Sequence, residues 1–314
     1  MAIDADQPVP ALANPVLDLI ERRSTARKFT ADPVTADERQ AILHAASRGP
    51  SAGAMMFYSI LVIDDEHARR ELCHLCDDQP FMLEAPFWLL FVADNRKWCD
   101  LYQAVGCYDD PSLPSFPQYA RRKPGIGDLL LSCQDTVIAA QTAVLAAESL
   151  GIGSCYIGDV IERGEQVAEL LDLPPATVPI SLVVFGHRRQ PEPGARSVSC
   201  TVDDQPLAAE NPAEPQTTSR QEAPTHTPHP VVNLVMQDRY HPADPETIAA
   251  QVAELDAKFT PHAVANGAPA GERVRKLYHR KHTSDFMAEM NRSAAWWAAR
   301  WCADEVDDGT VAEQ

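Results

Sequence analysis

Ala139-Ala140-Gln141-Thr142-Ala143-Val144-Leu145-Ala146-Ala147-Glu148-Ser149-Leu150, running on into Gly151-Ile152-Gly153-Ser154-Cys155-Tyr156-Ile157-Gly158, decides how this 314-residue chain folds. The first half reads as a small-residue helix that is apolar almost all round, so burial on more than one side is expected. The second half reads as a glycine-rich turn. Glycine there ends the helix and lets backbone approach a neighbour closely, and a flat cofactor fits such a wall.

Elements on either side follow from local signals. Asn14-Pro15 starts a helix whose apolar face is Val16, Leu17, Leu19 and Ile20. Thr35-Ala36-Asp37-Glu38 is a capping box for a second helix that ends before Gly49-Pro50. Tyr58 to Ile63 and Phe87 to Ala93 carry the β-branched and aromatic residues of buried strands. Trp98 to Gly127 reads as irregular and proline-rich, with Asp128 capping the long helix. A helix near Glu165 to Leu171 and a strand from Ile180 to Phe185 close the first part. Eight prolines between Arg189 and Pro230, with almost no large apolar residue, predict an extended linker. Beyond it, Ile248 to Phe259 looks helical, and Ser284 caps a helix carrying Phe286, Met290, Ala294, Trp297 and Trp301 on one stripe. That last piece has too little core of its own and is expected to pack on the main domain or on a partner subunit. Strands and helices interleaved around one apolar helix predict a sheet covered by helices.

Composition limits the chemistry. A net charge of -18 argues against nucleic-acid binding, since phosphate backbones demand a basic face. The longest unbroken apolar run, Phe87 to Ala93, is strand-sized, and the first residues carry no secretion signal, so a cytoplasmic protein without a membrane segment is expected. The eight cysteines are scattered and read as reduced thiols. Cys73 and Cys76 alone have metal or redox spacing, which leaves a redox- or metal-sensing module open, although an amphipathic helix accounts for the same spacing. Phosphate-binding lysine loops, serine elbows and paired-histidine metal motifs are missing from the sequence, so hydrolase and kinase chemistry has no footing.

Arg22-Arg23-Ser24-Thr25-Ala26-Arg27-Lys28-Phe29 sets four cations and two hydroxyls together in an acidic protein, which suits a terminal phosphate. The alternative is a solvated helix end whose cations complement the dipole. Gly49-Pro50-Ser51-Ala52-Gly53-Ala54 is a second small-residue loop before a strand. A basic cluster of Lys276, His279, Arg280 and Lys281 could meet the 2′-phosphate of NADPH, or simply be a solvated helix face.

In order along the chain, Arg23-x-Thr25-x-Arg27-x-Phe29, Pro50-Ser51-Ala52-Gly53, Glu84-Ala85-Pro86 before a strand ending Ala93-Asp94, Asp135 to Gln141, Gly151 to Gly158, and the strand closing at Gly186 resemble the nitroreductase family of FMN-dependent oxidoreductases. The likeness covers roughly residues 14 to 200. Arg122-Lys123-Pro124-Gly125, Arg280 to Phe286 and Glu289 to Ser293 are similar to a subgroup with a C-terminal extension.

The resemblance implies an α+β three-layer sandwich with a mostly antiparallel sheet and a helical C-terminal extension. It divides the chain into an FMN-binding domain at 1–200, a proline-rich linker at 201–230 and the extension at 231–314. It further implies a homodimer built on the long helix, with FMN in clefts at the subunit boundary and NADPH or NADH as electron donor. By matching positions Arg23, Ser24 and Thr25 would hold phosphate or ribityl oxygens, and Arg27 would approach the pyrimidine edge. Pro50, Ser51, Ala52 and Gly53 would line the cofactor, the backbone of Tyr156, Ile157 and Gly158 would face N5, and Arg196 would approach the phosphate. No protein residue is expected to be catalytic and no metal is implied; FMN carries the chemistry toward a nitroaromatic, quinone or flavin acceptor. Deiodinase-like and flavin-destructase-like branches share the same cofactor site. Ala54 and Met56 stand where many members have Asn and Gln, so amides that would bond the flavin carbonyls are missing.

Overall fold

The computed structural model describes residues 14–107, 124–189 and 243–302, apart from the side chains of 279–282. Four strands, β1 (Tyr58–Val62), β2 (Phe87–Asp94), β3 (Ile152–Ile157) and β4 (Thr177–His187), form a sheet in the order β1-β2-β4-β3. All three pairings are antiparallel, with a register shift between Phe91 and Val92 on β2. Before the sheet and within its crossovers lie α1 (Pro15–Arg22), α2 (Ala36–Ala46), α3 (Glu66–Leu75), α4 (Phe81–Glu84), α5 (Arg96–Ala104), α6 (Ile126–Ser149) and α7 (Gly164–Leu170). The C-terminal part adds α8 (Pro245–Phe259), α9 (Pro261–Ala265), α10 (Glu272–His282) and α11 (Asp285–Trp301).

Strand β2 shows why three layers form. Every one of its residues is buried. Alternation sends Phe87, Leu89 and Phe91 to one side, into a core with Ile42 of α2 and Ala139, Ala143 and Val144 of α6. Trp88, Leu90 and Val92 face the other side, against Leu72 of α3, Val167 of α7 and Trp297 and Trp301 of α11. An α+β sandwich follows from this two-sided burial.

Several expectations need correction. Gly151 to Gly158 is not a turn: after Gly151, at φ +77° where a helix end favours glycine, the chain enters β3 directly. The long helix begins at Ile126, two residues before Asp128, which caps it from the third helical position: its carboxylate accepts from the Gly125 N–H at 2.9 Å. Part of the stretch read as irregular is α5. Helix α6 is buried where it meets the sheet and α2, through Ala139, Ala140, Ala143, Val144 and Ala147, but not all round: Leu130, Val137 and Ile138 face solvent in the single chain. The apolar face foreseen on α1 likewise buries only Leu19, leaving Val16 and Ile20 half-exposed or more. By length and composition α6 matches a bilayer-spanning helix, which the sequence reading did not foresee; its buried Ser132, Asp135 and Thr136 suit a core helix instead.

Helix α11 docks on its own chain. Ser293 Oγ donates to the Ile161 carbonyl at 2.6 Å and accepts from the Gly164 N–H at 2.9 Å, and Arg292 forks onto both oxygens of Glu165 at 2.6 and 2.8 Å. A Cβ on Gly164 would lie 2.6 Å from Trp297 Nε1, so this contact requires glycine. Residues 190–242, which hold the foreseen linker and Arg196, lie outside the described residues.

Candidate functional site

Residues 23–29 leave α1 and run along the free edge of β3. Thr25 bridges to Ser154 in parallel, the Ala26 N–H donates to the Ser154 carbonyl at 2.9 Å, and Phe29 bridges to Arg188. Close approach is possible because two glycines face each other across β3 and β4. Gly153 pairs with Gly186. A Cβ on Gly153 would sit 2.6 Å from Ala26 Cβ and 2.8 Å from Arg188 Cγ, and one on Gly186 would sit 2.8 Å from Phe29 Cδ1. Glycine at 153 therefore accommodates the cationic segment itself rather than a flat ligand.

Farther along β3 the chemistry changes. Ile157 is buried, while Tyr156 keeps 39% of its surface and Gly158 is exposed. A Cβ on Gly158 would meet nothing within 4 Å, so open space adjoins the end of the strand. The Tyr156 hydroxyl donates to Gln141 Oε1 on α6 at 3.3 Å. Burial pushes its pKa up to about 12, against the opposing pull of the nearby Arg23 cation, so this phenol stays neutral at ordinary pH. Arg23, Ser24 and Thr25 thus share one edge with Tyr156, Ile157 and Gly158. Arg27 is exposed, its guanidinium 5.9 Å from the centre of the Phe81 ring.

The loop Pro50 to Gly53 sits elsewhere. It precedes β1 at the opposite edge of the sheet, and buried Asp135 holds it by accepting from the Ala52 N–H at 3.1 Å and the Phe57 N–H at 3.2 Å. Gly53, Ala54 and Met56 all take left-handed backbone, at φ +58°, +57° and +51°. Strain of this kind in two non-glycine residues is stored where surroundings over-determine it. Among the described residues no hydrogen bond or ion pair joins 50–53 to 23–27 or 156–158.

Three residues that matter here escaped the sequence reading as individuals. Asp135 and Gln141 lay within a quoted motif, yet neither had a role. Arg188 drew no reading from the sequence, yet its guanidinium reaches Ser24 and Glu148. Lys276 pairs with Glu272 at 3.5 Å within α10, and the side chains of 279–281 lie outside the description. Cys73 and Cys76 are buried in the core beside Leu72, and burial raises both thiols above their usual range, which opposes a reactive or metal-bound thiolate pair.

A family model described as the nitroreductase family matches residues 19–187, more than half of the chain. The chain belongs to the nitroreductase family. As a nitroreductase-family chain it is 30% identical over 174 residues to a Bacillus subtilis (strain 168) FMN reductase (NAD(P)H), covering 55% of this chain and 66% of that relative. An NADPH-flavin oxidoreductase of Vibrio harveyi is 30% identical over 177 residues, covering 56% and 67%. An oxygen-insensitive NADPH nitroreductase of Salmonella typhimurium is 32% identical over 174 residues, covering 55% and 65%. The matched stretch thus spans about two thirds of each relative. Among solved structures, B. megaterium NfrA1 shares the nitroreductase fold at TM-score 0.66 and 18% identity, over 91% of this chain and 99% of that one. The NADPH:FMN oxidoreductase from Vibrio harveyi complexed with NAD+ aligns at TM-score 0.58 and 22% identity, over 85% and 97%.

Proposed function

We propose that the chain is an FMN-dependent oxidoreductase that takes hydride from NADPH or NADH and passes it, in a ping-pong cycle, to a small nitroaromatic, quinone or flavin acceptor. The observation that carries this reading is the joining of the 23–27 segment to β3 by the Ala26 to Ser154 hydrogen bond, which sets cations and hydroxyls along the edge of the strand whose far end, at Gly158, is open. The names of the relatives, FMN reductase, NADPH-flavin oxidoreductase and nitroreductase, support it.

Bound FMN would supply the hydride-accepting N5 and its two-electron chemistry. Arg23, Ser24 and Thr25 would hold phosphate or ribityl oxygens through charge and hydroxyl donors. The exposed Arg27 would favour negative charge at the pyrimidine edge, and Arg196 would reach the phosphate. Tyr156, Ile157 and Gly158 would present backbone to the ring, with Gly158 leaving room that a side chain would fill. Tyr156 stays protonated and would offer a neutral surface there.

The position of Pro50, Ser51, Ala52 and Gly53 supports a homodimer. Three strand spacings, about 14 Å, separate the two sheet edges, and the sheet between them is covered on both faces, so a cofactor seated at one edge would take the second set from a second copy. The solvent-facing Leu130, Val137 and Ile138 of α6 would supply the apolar seam.

An absorption spectrum of the purified protein tests the reading. A yellow chromophore that bleaches on anaerobic addition of NADPH or NADH is the expected result. Colourless protein that binds no added FMN and oxidises neither nucleotide overturns it.

A further inference from the structure

We infer that Arg188 is a positioning residue for the cofactor's phosphate end, setting Ser24 as a hydroxyl donor without itself binding the anion. The inference rests on the FMN reading above. Arg188 is the residue immediately after β4, and its stem lies over Gly153. Its Nη2 donates to the Ser24 carbonyl at 2.8 Å and to Glu148 Oε2 at 2.7 Å, while Nη1 donates to Ser24 Oγ at 3.4 Å.

A guanidinium carries donors only. Ser24 Oγ can therefore only accept from Arg188, which leaves its own O–H available to donate to an acceptor such as a phosphate oxygen. The Ser24 carbonyl is occupied by the same guanidinium, and the Ala26 N–H is held by Ser154, so the backbone between them has little freedom. Arg23 and Thr25 are fixed in register by the same ties. Glu148, whose side chain keeps only 12% of its surface, neutralises Arg188. A cation already paired and forked onto Ser24 has few donors left for a ligand, so its effect on binding passes through Ser24.

Titration of apo-protein with FMN and, separately, with riboflavin distinguishes this role from general damage, because riboflavin lacks the phosphate. In Arg188→Met the FMN dissociation constant is expected to rise roughly tenfold, the effect of losing a hydrogen bond to a charged group, while the riboflavin constant stays within about twofold. Arg188→Lys keeps the charge beside Glu148 but loses the fork, and is expected to show the same selective loss to a smaller degree. It also serves should Arg188→Met fail to fold, as judged by circular dichroism. Equal FMN and riboflavin affinities in variant and wild type overturn the role, and so does a parallel loss of both ligands in a folded variant. If wild-type protein binds neither ligand, the FMN reading itself fails; if wild type binds FMN and only the variants behave otherwise than stated, the positioning role alone fails.

Discussion

The β3 edge and the loop before β1 both carry glycine among small residues, and they use it for different physical reasons. At the edge, Gly153 is needed for space, since Ala26 and Arg188 occupy the volume a Cβ would claim. In the loop, Gly53 is needed for backbone angle: it sits at φ +58°, and only the flexible Met55 side chain lies within 4 Å of a Cβ there. The edge is formed by pairing of chain segments far apart in sequence, whereas the loop is a strained local turn pinned from outside by the Asp135 carboxylate and by Trp98, whose indole N–H donates to the Met55 carbonyl at 2.8 Å. A bulky substitution should therefore damage the edge, while loss of the anchor should damage the loop.

Gly153→Val gives the largest expected effect. Two methyls and a Cβ would displace Ala26 and Arg188 from the strand edge, costing roughly 3 kcal/mol and lifting the cationic segment. Thermal unfolding and FMN titration together check this: a normally stable variant with unchanged affinity would show that Gly153 is not needed for space. Asp135→Ala should cost about 2 kcal/mol, because the Ala52 and Phe57 N–H groups lose a buried acceptor. Protease cleavage within 50–57 should accelerate, while the β3 edge is unaffected.

Smaller still is the effect of a buried acid beyond β3. Glu162 is almost wholly buried, and burial followed by Asp77 raises its pKa to about 7, with Arg163 opposing. The folded chain therefore holds this proton more tightly than the unfolded chain. Stability from this group is present below the unfolded value of about 4.5, declines as pH rises, and is fully lost above about 7. Glu162→Gln should gain about 1 kcal/mol or more at pH 8 and nothing near pH 4.5. Melting temperatures at the two pH values decide it, and an equal shift at both would show that the carboxyl does not titrate in this way.

Local chemistry made much of the fold legible. Thr35 and Glu38 form the capping box foreseen, Asn14 caps α1, Ser284 caps α11, and the Phe87 run is the fully buried central strand. What stayed hidden depends on distant partners. Gly151 to Gly158 looked like a turn because β3 is defined by pairing with β4, some thirty residues later. The reason for Gly153 lies in Ala26, and that for Arg188 in Ser24 and Glu148, none of them signalled by spacing. The exposed face of α6 could not be told from a buried one, because apolar residues look the same whether their own chain or another covers them. In the candidate site, the cationic segment and the Tyr156 to Gly158 strand end were legible as motifs, while the separation of Pro50 to Gly53 from both required the sheet order.

Ala54 supplies the finest test of the contrast. At φ +57° an alanine Cβ crowds the carbonyl, a cost glycine avoids, and the greater freedom of glycine in the unfolded chain offsets part of the gain. Ala54→Gly is thus expected to stabilise the protein by about 0.5 kcal/mol without changing FMN affinity. Asparagine tolerates the same angle and adds an amide. If this loop reaches the cofactor of a second copy, Ala54→Asn should tighten FMN severalfold where Ala54→Gly does not, and the dimer should be required for the difference. Equal affinities in the two variants would mean that the loop's left-handed run serves the turn alone, and that its amide-poor sequence has no bearing on the flavin.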